Sequence, residues 1–133
     1  MPIETGMQYE AYTMVNEANT ALAVGSGAVE VFATPMMIAL MEQAASACAM
    51  PGLAEGQVTV GAEIQVAHTA ATPIGMRVRA VAAVTAVCAR QIDFALAAYD
   101  ECGEIGSGTH TRFIVDKDKF MQKAQEKAGL PAK

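Results

Sequence analysis

Glu42 is the most conspicuous chemical group in the chain. It is the only charged residue between Pro35 and Met50, and its helical neighbours Ile38, Met41 and Ala45 include no Lys or Arg. Carboxylates are almost never fully buried unless they are paired. A dry site without a cation disfavours the charged form and holds the group ready for proton transfer or nucleophilic attack near neutral pH. The other reading is a helix that turns this one side chain to water.

His68 is the second candidate. It follows Val58, Val60, Ala62, Ile64 and Val66 at the same parity, where a core valine would otherwise stand. An imidazole there is either a satisfied structural residue or an acid–base group working near pH 7. Thr34 is adequately explained as a helix cap, and Gly61 as a bulge or close-packing point. Glycine also lets a ligand approach a backbone N–H.

These residues need elements to hold them. Residues 7–15 carry β-favouring side chains and read as a strand. A helical turn at 17–23 precedes the turn signal Gly25-Ser26-Gly27, and 29–32 reads as a short strand. Thr34-Pro35 then starts a helix: the hydroxyl can accept from orphan N–H groups, and proline at the first position loses no bond. The helix over 36–50 is apolar nearly all round and stops at Pro51-Gly52, so other elements must wrap it. Period-two alternation predicts strands at 58–66, 76–88, 90–99 and 104–115, with turns at Pro73-Ile74-Gly75 and Asp100-Glu101-Cys102-Gly103. Asp116 caps a last helix carrying Phe120, Met121, Ala124 and Ala128, closed by Gly129 and Pro131. One greasy helix followed by four antiparallel strands describes an α+β hot-dog fold, a sheet curled around its helix. Its open edges predict at least a dimer.

Composition narrows the function. The 133 residues fit a single domain spanning 1–133, and 53% hydrophobic with 17% charged excludes intrinsic disorder. No apolar run reaches the roughly 18–20 residues of a membrane span, so no membrane partner is expected. Nine Lys+Arg against 14 Asp+Glu, a net charge of −5, is the wrong sign for a nucleic-acid binder. All nine basic residues lie from Arg77 onward. Cys48, Cys88 and Cys102 are too few and too scattered for a metal clip, and no metal is expected. Their odd number and the acidic start Met1-Pro2-Ile3-Glu4, which leads into no apolar signal region, fit a reducing cytoplasm.

Three runs carry a family resemblance: Val31-Phe32-Ala33-Thr34-Pro35-Met36-Met37-Ile38-Ala39-Leu40-Met41-Glu42-Gln43-Ala44-Ala45, Val60-Gly61-Ala62-Glu63-Ile64-Gln65-Val66-Ala67-His68, and Thr72-Pro73-Ile74-Gly75-Met76. Together they resemble the fluoroacetyl-CoA thioesterase-like branch of the hot-dog thioesterases, over about Val15 to Phe120. The resemblance implies hydrolysis of an acyl-CoA thioester with Thr34, Glu42 and His68 as catalytic residues and Gly61 as backbone donor to the thioester carbonyl. The late run Gly108-Thr109-His110-Thr111-Arg112-Phe113 is similar to the family's final strand and puts Arg112 near the substrate. CoA would be part of the substrate, and no separate cofactor is expected. In one respect the chain departs from the family it resembles: the fluoroacetyl-specific member closes its pocket with aromatic side chains ahead of the central helix, and none stands here between Tyr12 and Phe32.

A thioesterase must supply an oxyanion donor, a nucleophile or activated water, and a proton for the leaving thiolate. Glu42 could attack to give an acyl-enzyme anhydride, or it could deprotonate water. His68 would be a base for that water, and Thr34 would orient the carboxylate. Eight residues at 1.5 Å each separate Thr34 from Glu42 by about 12 Å along a helix, too far for the two side chains to meet. One residue of the set is therefore expected from a second subunit, in a homodimer or a dimer of dimers. Arg77, Arg79, Arg90, Arg112, Lys117 and Lys119 are candidates for a basic rim that attracts CoA, Arg112 first among them. The rival readings are a non-catalytic acyl-CoA-binding module, an enoyl-CoA hydratase, which would want an aspartate and a histidine in one motif, and a cysteine hydrolase using Cys48 or Cys88.

Overall fold

The computed structural model describes residues 2–129. Its five strands are β1 (Gln8–Met14), β2 (Gln57–His68), β3 (Arg77–Cys88), β4 (Gln91–Asp100) and β5 (Gly103–Asp116). They form one antiparallel sheet in the order β1-β3-β4-β5-β2. The helices are α1 (Ala21–Val24), α2 (Thr34–Ala49) and α3 (Lys117–Glu126). The sheet wraps α2, which is the hot-dog arrangement read from the order of elements.

Methionine, leucine and alanine make α2 a strong helix former. It ends in a 3₁₀ turn, Met50–Gly52, because Pro51 lacks the N–H that another α-helical turn would need. Met37, Leu40, Met41, Ala44, Ala45, Cys48 and Ala49 form its buried stripe. They meet Val78, Ala80, Ala82 and Val84 of β3 and Ile92, Phe94, Leu96 and Ala98 of β4, all buried in one cluster. Alanines on both sides let the backbones approach, while Met37, Met41, Ile92 and Phe94 fill the remaining volume. Burying each such large side chain contributes about 1.5–3 kcal/mol, and cutting Met41 to alanine would cost about 2–5 kcal/mol.

Three local expectations need correction. Residues 29–32 make no strand: Val31 and Phe32 each form one isolated bridge, to Pro73 and Thr20, and no ladder builds around them. The helical turn expected over 17–23 is confined to Ala21–Val24 and closes on Gly25 at φ 80°, a left-handed cap that suits glycine. Thr34 is not the cap of α2. Ala33 holds that position without a side-chain bond, and Thr34 is the first helical residue.

The largest correction concerns β2. Its pairing with β5 shifts register between Gly61 and Glu63, leaving Ala62 as the extra residue of a bulge. Before the bulge Thr59 and Gly61 face the helix; after it Ile64, Val66 and His68 do, while Ala62 is exposed. The uniform inward face from Val58 to His68 therefore does not exist. An inserted residue inverts parity, and here it lets a glycine and an imidazole share one face.

At the other end Asp116 caps α3, its Oδ1 accepting from Lys119 N–H at 3.0 Å. Phe120 and Met121 remain 43% and 46% exposed, so the apolar side of this helix is only partly covered. Pro131 lies outside the described residues.

Candidate functional site

The start of α2 and the end of β2 bring Thr34 and His68 together. Thr34 Oγ1 and His68 Nδ1 are 2.7 Å apart. The hydroxyl that seemed sufficient as a cap is spent on the imidazole instead. The other ring nitrogen, His68 Nε2, is buried and has no hydrogen-bond partner among the described residues. Burial lowers the His68 pKa from its ordinary 6.5, and the Ala70 backbone opposes this. At neutral pH the ring is therefore uncharged, with one nitrogen fixed and the other free.

Both residues line a cleft of about 360 Å³ together with Gly27, Val29, Phe32 and Ala70. That volume lies within the usual range for small-molecule sites. Phe32 is the only phenyl ring in the lining; most of the rest is alanine, glycine, serine and valine.

Glu42 stands two turns further along α2 and is absent from this cleft. The structure corrects the picture of a lone dry acid. Its side chain is 41% exposed, and Oε2 lies 3.5 Å from Arg112 Nη1 and 4.0 Å from His110 Nε2. The missing cation comes from β5, so helical neighbours could not reveal it. Gly61 explains how the carboxylate fits: a Cβ there would stand 2.7 Å from Glu42 Oε2, 3.3 Å from His110 Cε1 and 3.4 Å from Arg112 Nη1. Gly61 borders the bulge and is a close-packing point, with a carboxylate as the approaching group.

Arg112 is 7% exposed and belongs to no solvent-facing rim. Its Nε donates to Thr59 Oγ1 at 2.8 Å and its Nη2 to the Thr59 carbonyl at 3.0 Å. Nη1 lies 3.2 Å from His110 Nε2. Of the other rim candidates, Arg79 is held by Glu10 at 3.0 Å and stacks 4.5 Å over Tyr99. Arg90, Lys119 and Lys123 gather in a separate cleft beside α3. Cys48 is buried, which pushes its thiol above the ordinary value and away from thiolate chemistry.

One chain thus assembles two groups: Thr34 with His68 at a cleft, and Glu42 with Gly61, His110 and Arg112 over β2 and β5. Within one chain His68 bonds Thr34, and the imidazole nearest Glu42 is that of His110. Sequence reading passed over His110. Its one signal was a place in the same alternating run as Arg112, two positions earlier on β5.

The fluoroacetyl-CoA-specific thioesterase family matches residues 15–118. The fluoroacetyl-CoA thioesterase of Streptantibioticus cattleyicolor is 42% identical over 98 residues, covering 74% of this chain and 70% of that protein. A crystal structure of the fluoroacetyl-CoA thioesterase FlK superposes with a TM-score of 0.91 at 33% identity, covering 98% of this chain and 100% of the other. A thioesterase superfamily member from Thermus thermophilus superposes with a TM-score of 0.87 at 28% identity, over 96% and 97% of the two chains. With its sequence matched over most of its length and its fold matched throughout, the chain belongs to the fluoroacetyl-CoA-specific thioesterase family.

Proposed function

We propose that the protein hydrolyses acyl-CoA thioesters to a free acid and CoA, at a site formed by Thr34 and His68 of one subunit and Glu42 of a second. The observation that carries this reading is the Thr34–His68 pair lining the cleft, with the second ring nitrogen of His68 buried and unpaired among the described residues. A buried nitrogen without a partner costs free energy, and here it is a neutral base whose position is set by Thr34. With Nδ1–H donating to Thr34 Oγ1, the Nε2 lone pair can take a proton from water and return it to the leaving thiolate. Glu42 supplies the carboxylate, either as nucleophile or as the base that orders the attacking water. The Gly61 N–H, beside the Glu42 carboxylate, is the proposed donor to the thioester carbonyl oxygen.

The two-subunit site follows from the separation of the groups. About 12 Å of helix lies between Thr34 and Glu42, and β1 and β2 end the sheet with open edges. A two-fold partner can bring its own Glu42 to the Thr34–His68 cleft. With no aromatic residue between Tyr12 and Phe32 to close the pocket, selection for a fluorinated acyl group is not expected. A panel of acyl-CoAs assayed for free thiol, with Glu42→Gln as control, tests the reaction. Release of CoA that disappears in the control is the expected result; a panel left uncleaved, or a control as fast as the parent, overturns the reading.

A further inference from the structure

We propose that His110 is a positioning residue for Glu42, acting through Arg112: its Nε2 accepts a hydrogen bond from the guanidinium and fixes the face that meets the carboxylate. The inference rests on the thioesterase reading above and adds a residue to it.

His110 is 3% exposed on β5, with its ring tilted against Phe94 at a centroid distance of 6.1 Å. Its Nδ1 lies 2.7 Å from the Glu63 carbonyl. A carbonyl only accepts, so Nδ1 carries the hydrogen. The other nitrogen, Nε2, faces Arg112 Nη1 at 3.2 Å. A guanidinium only donates, so Nε2 carries a lone pair. Both neighbours thus require the same neutral tautomer, and burial, the largest influence on this ring, favours the neutral form as well. The 4.0 Å approach of Glu42 to His110 is accordingly no ion pair.

The consequence falls on Arg112. Nε and Nη2 are pinned by Thr59, which anchors one edge of the fork, and His110 fixes the opposite corner. Nη1 is then left with a single direction toward Glu42 Oε2 at 3.5 Å. Without the imidazole acceptor the Nη1 corner can rotate about the Thr59 anchor, and the carboxylate moves with it. Displacement of a reacting group by about 1 Å can cost on the order of 100-fold in rate.

Two substitutions separate positioning from mere structural support. His110→Gln can place an amide oxygen near the Nε2 position, keeping the acceptor for Arg112 and losing the bond to Glu63. His110→Asn keeps an amide N–H near the Nδ1 position for Glu63 and loses the acceptor. If His110 positions Glu42, kcat falls on the order of 100-fold in the Asn variant with KM within about threefold, and the Gln variant recovers most of it. If the Asn variant is the active one, His110 is only a strut for Glu63 and the proposal fails. A readout independent of turnover is the imidazole ¹⁵N spectrum of the unmodified protein at pH 7. The Nδ1–H tautomer is expected for His110, and an Nε2–H tautomer or a charged ring overturns the proposal even if no acyl-CoA is cleaved. A wild-type protein inactive on every acyl-CoA but showing the Nδ1–H tautomer would count against the thioesterase reading and not against this placement.

Discussion

The two ends of the candidate machinery are built in opposite ways. At Thr34 and His68 one bond is made and one buried nitrogen is left over, beside an open cleft. Around Glu42 the neighbours of the carboxylate are themselves held: Arg112 by Thr59, His110 by Glu63. An unfinished group is where a substrate or a second subunit must complete the bonding. A finished group is where geometry is stored. The proposed reading uses this contrast, with a proton-transfer base in the first region and a carboxylate held in place to react in the second.

Removing the reacting groups should break the comparison most severely. Glu42→Gln and His68→Ala are each expected to lower kcat by about 10²–10⁴-fold, with circular dichroism and thermal unfolding near those of the parent. If the regions lie on different subunits, their pairing in mixed dimers is asymmetric. Thr34→Ala mixed with Glu42→Gln leaves one intact site in each heterodimer, so about a quarter of wild-type activity returns on random mixing. Thr34→Ala mixed with His68→Ala should return none, because both residues serve the same cleft. Recovery in the second mixture, or silence in the first, would mean that the site is not divided in this way.

Next in size is the support beneath the carboxylate. Arg112→Met removes the donors to Thr59 and His110 and leaves their buried acceptors unpaired, a cost of about 1–3 kcal/mol for each unsatisfied group. Stability measured by urea unfolding should fall visibly, and kcat should fall by roughly 100-fold as Glu42 loses its guide. Unchanged stability would show that the guanidinium bonds are not formed in solution. Gly61→Ala is gentler. Its Cβ would stand 2.7 Å from Glu42 Oε2, the movable end of a partly exposed side chain, so the protein should fold while kcat drops about 10-fold.

The same contrast explains what could be read in advance. The sheet, its strand succession and the central helix were legible because each is a local pattern: alternation over 76–88 and 90–99, an apolar run closed by Pro51, and turns at Gly75 and Asp100. Glu42 and His68 stood out because each breaks the pattern of its own element, while Gly61 was marked only by the family resemblance. What stayed hidden was pairing across elements. The partner of Glu42 sits 70 residues away on β5, joined to it through a bulge at Ala62 that no alternation rule announces. That bulge inverted the face assigned to Val58 and Val60. His110 stayed invisible for the opposite reason. It obeys the alternation of β5 and looks like one more inward residue, although its two nitrogens connect a backbone carbonyl to an arginine.

The smallest expected effect is on pH, and it probes both regions together. Burial depresses the pKa of His68 and of His110 below 6.5 in the folded protein. The unfolded chain therefore takes up protons first as the pH falls, and stability declines from the unfolded histidine value down through each folded value. The slope is at most about 1.4 kcal/mol per pH unit for each histidine. If His68 is the neutral base, as proposed, the acid limb of kcat/KM should also lie below pH 6.5. His110→Gln should remove one histidine's share of the stability slope while leaving the position of that limb in place, because the titrating base belongs to the other region. A limb that moves with His110→Gln would tie proton transfer to the Glu42 group and erase the division of labour between the two ends of the helix.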